Sequence, residues 1–231
     1  MNYIVWNNTD SRDINGLLIC ELPPISKPQL RVRETAIEGV DGSIFEELGY
    51  ESYDKTIAVA LKVGADIDEV IEYFTGSGNI VFSNEPNKYY IARINKSIDY
   101  NRLLRYRTAK VTFRVQPFKY EMNETEIHAN AEVQSVSVVN SGNYTAKPLI
   151  TIEGKGTVEL SVNGDYVCRY EFPENGDTVI LDSEKQDAYL GETLKNRSMT
   201  GDFPILRKGA NTISWSGEIE GMRIKRYSRW L

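Results

Sequence analysis

The sequence predicts a mainly β protein with two domains: an N-terminal β-sandwich-like domain with one α-helix, then an all-β domain of the sandwich or jelly-roll type. Three observations support this prediction. Short alternating apolar runs recur between turn residues, a single segment has helical spacing, and residues 121–132 are polar without a hydrophobic period. This polar stretch predicts domains at residues 1–128 and 129–231.

The elements of the first domain follow from hydrophobic periodicity. Residues 56–63 alternate between apolar and polar or small side chains, which predicts a half-buried strand. Residues 66–76 have apolar side chains at helical spacing, and Asp66 can cap the start of that helix. Further strands are predicted at residues 78–82, 89–98 and 107–115. The last strand is expected to stop at Pro117, because proline donates no hydrogen bond to a ladder.

The second domain contains only strand signals. Asn163-Gly164 predicts a tight hairpin, because the two central residues of a type I′ turn need positive φ. On the return strand, one face is expected to carry Tyr166, Cys168, Tyr170 and Phe172. The other predicted strands are residues 133–139, 149–153, 157–162, 178–181, 211–215 and 222–227.

The composition is that of an ordinary globular protein, and the charge is unevenly distributed along the chain. The 231 residues are 41% hydrophobic and 26% charged, as in globular proteins, and the formal net charge is −6. Residues 1–120 are nearly neutral, with 15 basic and 16 acidic side chains, and the rest of the chain carries most of the acidic excess. Residues 93–119 form a locally basic stretch, which fits either nucleic-acid binding or a solvated strand face or subunit contact. The overall acidity disfavours specific DNA binding.

The sequence lacks an assembled catalytic or metal motif, and we expect no enzyme activity and no cofactor. His128 is the only histidine and falls in the predicted linker, which excludes multi-histidine metal sites. The S-x-x-K match at residues 52–55 lacks the companion motifs of acyl-transfer enzymes. Cys20 and Cys168 are expected to be free buried thiols. The sequence shows neither a 20-residue apolar span nor a secretory signal, so we expect synthesis in the cytoplasm.

Four aromatic residues of the second domain are candidates in kind for stacking on a sugar ring. They are Tyr144, Tyr189, Trp215 and Trp230. The alternative is packing in a core or interface, which we favour because several of them lie on alternating strands.

The chain also resembles a known family along nearly its whole length. The segments that carry the resemblance are GVDGSIFEELGYESY (39–53), SNEPNKYYIARI (83–94), TAKVTFRVQPFKYE (108–121), NSGNYTAKPLITIEGKG (140–156), LSVNG (160–164) and GDFPILRKGANTISWSG (201–217). Their order and spacing are similar to those of the distal tail proteins of long-tailed phages that infect Gram-positive bacteria. These segments concern turns and strands, so the resemblance transfers no functional residue.

The resemblance implies a structural role in the virion. Family members form a homohexameric ring at the tail tip, in which the N-terminal domain stacks on the tail tube around the DNA channel. The C-terminal domain is a galectin-like or carbohydrate-module-like jelly roll that projects outward. Implied partners are further copies of the chain, the tail tube protein, the tail-associated lysin-like protein and receptor-binding or baseplate proteins, with DNA only as passing cargo. The alternative function is a carbohydrate-binding accessory protein that contacts the host wall through the second domain.

Two segments are candidates for ring or tube contacts. Residues 30–53 are long, charged and weakly patterned, which suits a segment that orders on assembly. The basic stretch contributes Arg102, Arg105 and Arg107. If these arginines instead face DNA in the channel, the ring should bind duplex in a salt-sensitive way.

Overall fold

The computed structural model describes residues 1–39, 41–130 and 132–231, and it contains two compact units. The first unit comprises residues 1–122 with Leu231, and the second comprises residues 123–230. The protein is mainly β, with 55% strand and 7% helix, which confirms the predicted fold class. Val40, in the first segment of the family resemblance, and Ala131, in the predicted linker, lie outside the described residues.

The first unit consists of one curled antiparallel sheet, a separate hairpin and two short helices. Its elements are β1 (Ile4–Trp6), β2 (Thr9–Asp10), β3 (Leu17–Glu21), β4 (Leu30–Ala36), β5 (Ser43–Tyr50), β6 (Tyr53–Leu61), α1 (Ile67–Tyr73), β7 (Ser77–Phe82), β8 (Lys88–Arg93), α2 (Tyr100–Tyr106) and β9 (Thr108–Glu121). The sheet order is β2-β1-β7-β8-β9-β6-β3, whereas β4 pairs only with β5 among the described residues.

Alternation places the core of the first unit on one face of the central strands. Strand β6 buries Ile57, Val59 and Leu61, and the paired strand β9 buries Val111 and its alternate neighbours. The predicted helix is present as α1, and the Asp66 carboxylate caps it by accepting a hydrogen bond from the Asp68 amide at 2.9 Å. The alternating pattern therefore predicts both the strands and their inward faces.

Two features of the first unit differ from the sequence prediction. Strand β9 does not stop at Pro117 but continues to Glu121, because the register with β8 shifts there and residues 116–118 form a bulge. A bulge accommodates proline, since the missing N–H has no ladder position to fill. A second helix, α2, also lies within the basic stretch. Asp99 caps it by accepting from the Arg102 amide at 2.8 Å, and Arg107 ends it with a φ of 60°.

The second unit is an all-β fold of short strands around two long ones. Its elements are β10 (Ile127–Asn130), β11 (Ser135–Asn140), β12 (Leu149–Val162), β13 (Asp165–Glu171), β14 (Asp177–Asp182), β15 (Asp187–Leu190), β16 (Thr193–Leu194), a 3₁₀ turn (Asn196–Ser198), β17 (Met199–Gly201), β18 (Gly209–Lys225) and β19 (Arg229–Trp230). The order β10-β18-β12-β14-β15-β16 is joined by β11 on β18 and by β13 with β17 on β12.

Strands β12 and β18 each combine two strands that the sequence predicts separately. Residues 149–154 of β12 pair with β14, and residues 157–162 pair with β13. The register between β12 and β18 shifts near Gly154, and Gly217 has a φ of 93° on the facing strand. The pairing of the two strands is irregular at these glycines and resumes on both sides of them.

Strand pairing also corrects two local predictions. His128 lies in β10, paired with Arg223 of β18, and not in a linker. Its neighbours Ile127 and Ala129 pack against the core, a pattern too short to recognise in the sequence. Tyr166 leaves the face it was expected to share with Cys168, because the register of β12 and β13 shifts between the two residues, and its side chain is exposed.

Candidate assembly surface

The hairpin formed by β4 and β5, called the arm below, is the most exposed regular structure of the first unit. Nearly every described residue of both strands is exposed, including Ile44 at 62% and Phe45 at 65%. The two strands pair with each other and with no third strand among the described residues. Large exposed apolar side chains beside unpaired strand edges are typical of a surface that binds another chain.

The register of the arm defines which side chains share a face. Val32 lies opposite Glu47, and Glu34 lies opposite Phe45, so these four residues form one face, called the arm face. Neither carboxylate of this face has an ion-pair partner among the described residues. On the opposite face, Glu46 pairs with Arg33 at 3.3 Å. The arm face therefore combines apolar side chains with uncompensated negative charge.

The connector that leads into the arm, residues 22–29, is held to the body of the first unit by side chains. It contains three prolines, so its backbone cannot complete a ladder and its carbonyls need other donors. Three side chains of the body donate hydrogen bonds to these carbonyl oxygens: Asn84 Nδ2 to Pro23 O at 3.0 Å, Lys55 Nζ to Pro24 O at 2.9 Å, and Tyr53 Oη to Ser26 O at 3.4 Å. These bonds fix one root of the arm while leaving the arm itself exposed.

A buried charge cluster lies beneath that connector. Lys55 is 2% exposed, with its ammonium 4.9 Å from the centre of the Tyr90 ring. Glu85 accepts hydrogen bonds from Lys119 and, at 2.6 Å, from the Tyr90 hydroxyl. Burial lowers the pKa of Lys55 to about 8, which the negative Glu85 partly offsets and the positive Lys119 reinforces. Burial likewise raises the pKa of Tyr53 to about 12.

Helix α2 and its C-cap residue Arg107 carry the three predicted contact arginines, and all three are exposed. Leu103 is fully buried and anchors the helix, while Arg102, Arg105 and Arg107 point outward. None of the three arginines forms an ion pair within the part of the chain that the structure describes. Tyr106 is exposed as well, and the Arg105 guanidinium lies 5.4 Å from the centre of its ring.

Three other basic residues of the predicted stretch are neutralised within the unit. Lys119 forms the buried pair with Glu85, while Lys96 and Arg114 both bind Asp54, at 2.6 and 3.2 Å. Within the basic stretch from 93 to 119, the largest group of basic side chains without an ion pair among the described residues therefore lies at α2.

The four predicted stacking residues differ in exposure. Trp215 is 5% exposed in the core of the second unit, which is the packing alternative that the alternating strands favoured. Tyr144, Tyr189 and Trp230 are partly exposed. The Arg229 guanidinium lies 5.5 Å from the centre of the Tyr144 ring. Sugar stacking by these three residues stays a prediction.

The cysteines only partly match expectation. Both thiols are free, but Cys20 is exposed and only Cys168 is buried. Burial raises the pKa of Cys168 to about 12. Among the described residues, no group of three or more His, Cys, Asp or Glu side chains is placed to hold a metal ion.

No helix in the described part of the chain is both long and apolar enough to span a membrane.

The sequence indicates the location of the arm but not its form. Residues 30–53 are weakly patterned because both faces of the hairpin are solvated, which removes the alternation that marks a half-buried strand. The available signal was the turn-rich stretch EGVDG between two segments with β-branched and aromatic residues. Helix α2 was missed because a seven-residue helix with one buried position gives almost no periodicity.

Comparison with known proteins finds one family model that matches part of the chain. Residues 12–115 match the family model of the phage tail protein RIFT-related domain. The chain is similar to the crystal structure of the Dit protein of phage SPP1, described as a paradigm of the hub adsorption apparatus in phages that infect Gram-positive bacteria. That match has 15% identity and a TM-score of 0.68 and covers 97% of each chain. These findings confirm the resemblance seen in the sequence segments.

Two structures of the phage P2 baseplate in its activated conformation, with Ca and with Sr, are similar at lower scores. Their identities are 9% and 10%, with TM-scores of 0.46 and 0.44, over 98% and 97% of each chain. No curated protein matches the sequence significantly.

Proposed function

We propose, on the premise that residues 12–115 form a phage tail protein RIFT-related domain, that this chain is a structural component of the phage tail tip. In this role, six copies form a ring that joins the tail tube to the baseplate and leaves a central channel for DNA. The observation that carries the proposal is the exposure of two unpaired surfaces, the arm and α2, on the unit that contains the family domain.

The geometry supports assembly by the first unit. A ring needs two different surfaces on each subunit, so that one surface of a copy contacts the other surface of the next copy. The arm and α2 are two such surfaces, and both carry exposed apolar or aromatic side chains beside charges. Arginine and aromatic residues are enriched at protein interfaces.

The remaining parts of the proposal follow the family resemblance. In this proposal the second unit, a β-sandwich, projects outward from the ring. It is the attachment point for receptor-binding or baseplate proteins. The opposite ring face joins a tail-associated lysin-like protein, and the chain itself carries no enzyme activity. The site of action is the virion, at the tip of the tail.

Size-exclusion chromatography with light scattering tests the proposal. We expect the purified chain to give a mass of about six times 26.3 kDa at tens of micromolar. Co-expression with the tail tube protein should yield a stable complex of the two. A monomer under the same conditions would overturn the self-sufficient ring.

The alternative function, a carbohydrate-binding accessory protein, makes a different prediction. It requires a monomer or small oligomer whose binding to cell-wall glycans falls when Tyr189, a partly exposed aromatic of the second unit, is replaced by alanine. A hexamer that shows no glycan-dependent shift would reject this alternative.

A further inference from the structure

The charges and apolar side chains of the first unit point to one pairing: the arm face of one copy docks on helix α2 of the next copy. This inference rests on the proposed function, since it names the two surfaces that a ring would join. Its basis is charge complementarity between two surfaces that both lack ion-pair partners among the described residues.

The arm supplies the negative surface. Residues 30–50 contain two basic and five acidic side chains. Arg33 is already occupied by Glu46 on the opposite face. Glu34, opposite Phe45, and Glu47, opposite Val32, are the carboxylates of the arm face, and neither has an ion pair among the described residues.

Helix α2 and its flank supply the positive surface. Residues 100–110 contain four basic and no acidic side chains. Arg102, Arg105 and Tyr106 lie at i, i+3 and i+4, so they form one stripe along the helix. Leu103, on the buried side, fixes the orientation of that stripe. The stripe therefore presents two guanidinium groups beside an exposed aromatic ring.

The apolar parts of the two surfaces match as well. The arm face carries Phe45 and Val32, and α2 exposes Tyr106 and Leu104. A guanidinium stacks favourably on an aromatic face, so Arg105 can lie over Phe45 while its charge is compensated by the neighbouring carboxylates. Apolar contact supplies affinity, and the charges select the register.

The geometry favours a second copy over DNA as the occupant of α2. A surface that binds DNA neutralises phosphates with lysine or arginine, whereas Tyr106 and Leu104 add an exposed apolar surface beside the arginines of α2. The arm face is acidic and would repel a nucleic acid. Docking of the arm on α2 of the next copy joins two different surfaces, which is the heterologous contact that closes a ring by rotation.

A charge-swap experiment on the full chain tests the pairing. The arm variant is E34K/E47K, the helix variant is R102E/R105E, and the swap variant carries all four changes. All six substituted or control positions are surface residues, and the control variant D13K/E72K reverses two exposed carboxylates elsewhere on the first unit.

We expect the arm and helix variants each to weaken self-assembly more than about tenfold in light scattering, because like charges then face each other. The swap variant should recover the wild-type mass. An equimolar mixture of the arm and helix variants should also recover it, since alternating copies place opposite charges at every contact. The control variant should keep the wild-type mass.

The outcomes separate this pairing from the proposed function. Failure of the wild-type chain to assemble would overturn the ring itself. If the wild type assembles but the swap variant and the mixture stay small while far-UV circular dichroism shows them folded, the pairing is overturned and the ring stands. A lower mass for the control variant would also overturn the pairing, because a change of net charge alone would then explain the weaker assembly of the arm and helix variants. If the helix variant keeps its ring and loses only salt-sensitive binding of duplex DNA, α2 faces the channel and the pairing is also overturned.

Discussion

At the scale of single residues, the buried cluster of Lys55, Lys119 and Glu85 has more positive than negative charge. One carboxylate serves two ammonium groups, and the Lys119 ammonium takes the direct contact. The Lys55 ammonium instead lies over the Tyr90 ring and donates a hydrogen bond to the carbonyl oxygen of Pro24. Cation–π contacts and one carbonyl compensate only part of the lost hydration, so the pKa of Lys55 falls.

This shift predicts a pH dependence of stability. The pKa of Lys55 is about 8 in the folded chain, against roughly 10.4 when unfolded. Between these values the unfolded state binds more protons, so the free energy of unfolding contributed by Lys55 rises with pH. Denaturant unfolding at pH 7.5, 8.5 and 9.5 should show this rise.

The Lys55→Met variant is the comparison for that prediction, because it removes the titrating group and keeps much of the apolar stem. Its stability should lack the rise with pH that the wild type shows over the same range. A parallel pH profile for the two proteins would contradict a lowered pKa at Lys55.

At the scale of elements, glycines decide where the long strands of the second unit bend. Gly217 lies in β18 with a φ of 93°, and a Cβ there would overlap the carbonyl oxygen of Thr157 on β12. Gly209, at the start of the same strand, has a similar φ of 88° but open space around the same position. Alanine at Gly209 would therefore report the cost of positive φ alone, and alanine at Gly217 would report that cost plus steric overlap.

The substitution Gly217→Ala should destabilise the second unit by about 2–4 kcal/mol, because it adds steric overlap to the cost of positive φ. Gly209→Ala should cost about 1 kcal/mol, from the backbone conformation alone. Chemical denaturation followed by tryptophan fluorescence measures both values. Equal losses for the two variants would show that close approach of β18 to β12 contributes nothing.

At the scale of the whole molecule, charge is distributed in accordance with the proposed assembly. The net charge of the first 120 residues is close to zero, yet their acidic and basic side chains are concentrated at different places, the arm and helix α2. The second part of the chain carries 12 basic and 17 acidic side chains. Separated charges of both signs on one unit favour self-association, while the acidic excess elsewhere favours solubility.

A ring held by the arm and α2 should therefore be sensitive to salt. The Debye length falls from about 10 Å at 0.1 M salt to about 3 Å at 1 M, which screens contacts between exposed charges. We expect the average mass in light scattering to decrease as NaCl rises from 0.1 to 1 M. A mass that is constant across this range would indicate a ring held by apolar contacts alone.

Much of the fold was predictable because its signals are local. The alternation of β6 and β9, the Asp66 cap of α1 and the Asn163-Gly164 turn each depend on a few consecutive residues. The candidate surface was predictable only in part: the segment 30–53 and the arginines of α2 were identified, but their forms as a hairpin and a helix were not.

The sequence by itself determined the β-rich class, the inward faces of the central strands, the tight hairpin turn and the resemblance to a phage tail family. These features follow from side-chain period and turn chemistry, which neighbouring residues set. The tertiary structure alone decided that Lys119 is buried against Glu85, that Trp215 is in the core, and that the arm is exposed, with Glu34 and Glu47 lacking ion pairs among the described residues. Those outcomes depend on strand pairing and register between residues distant in sequence, and a change of one residue in register moves a side chain from the core to the solvent.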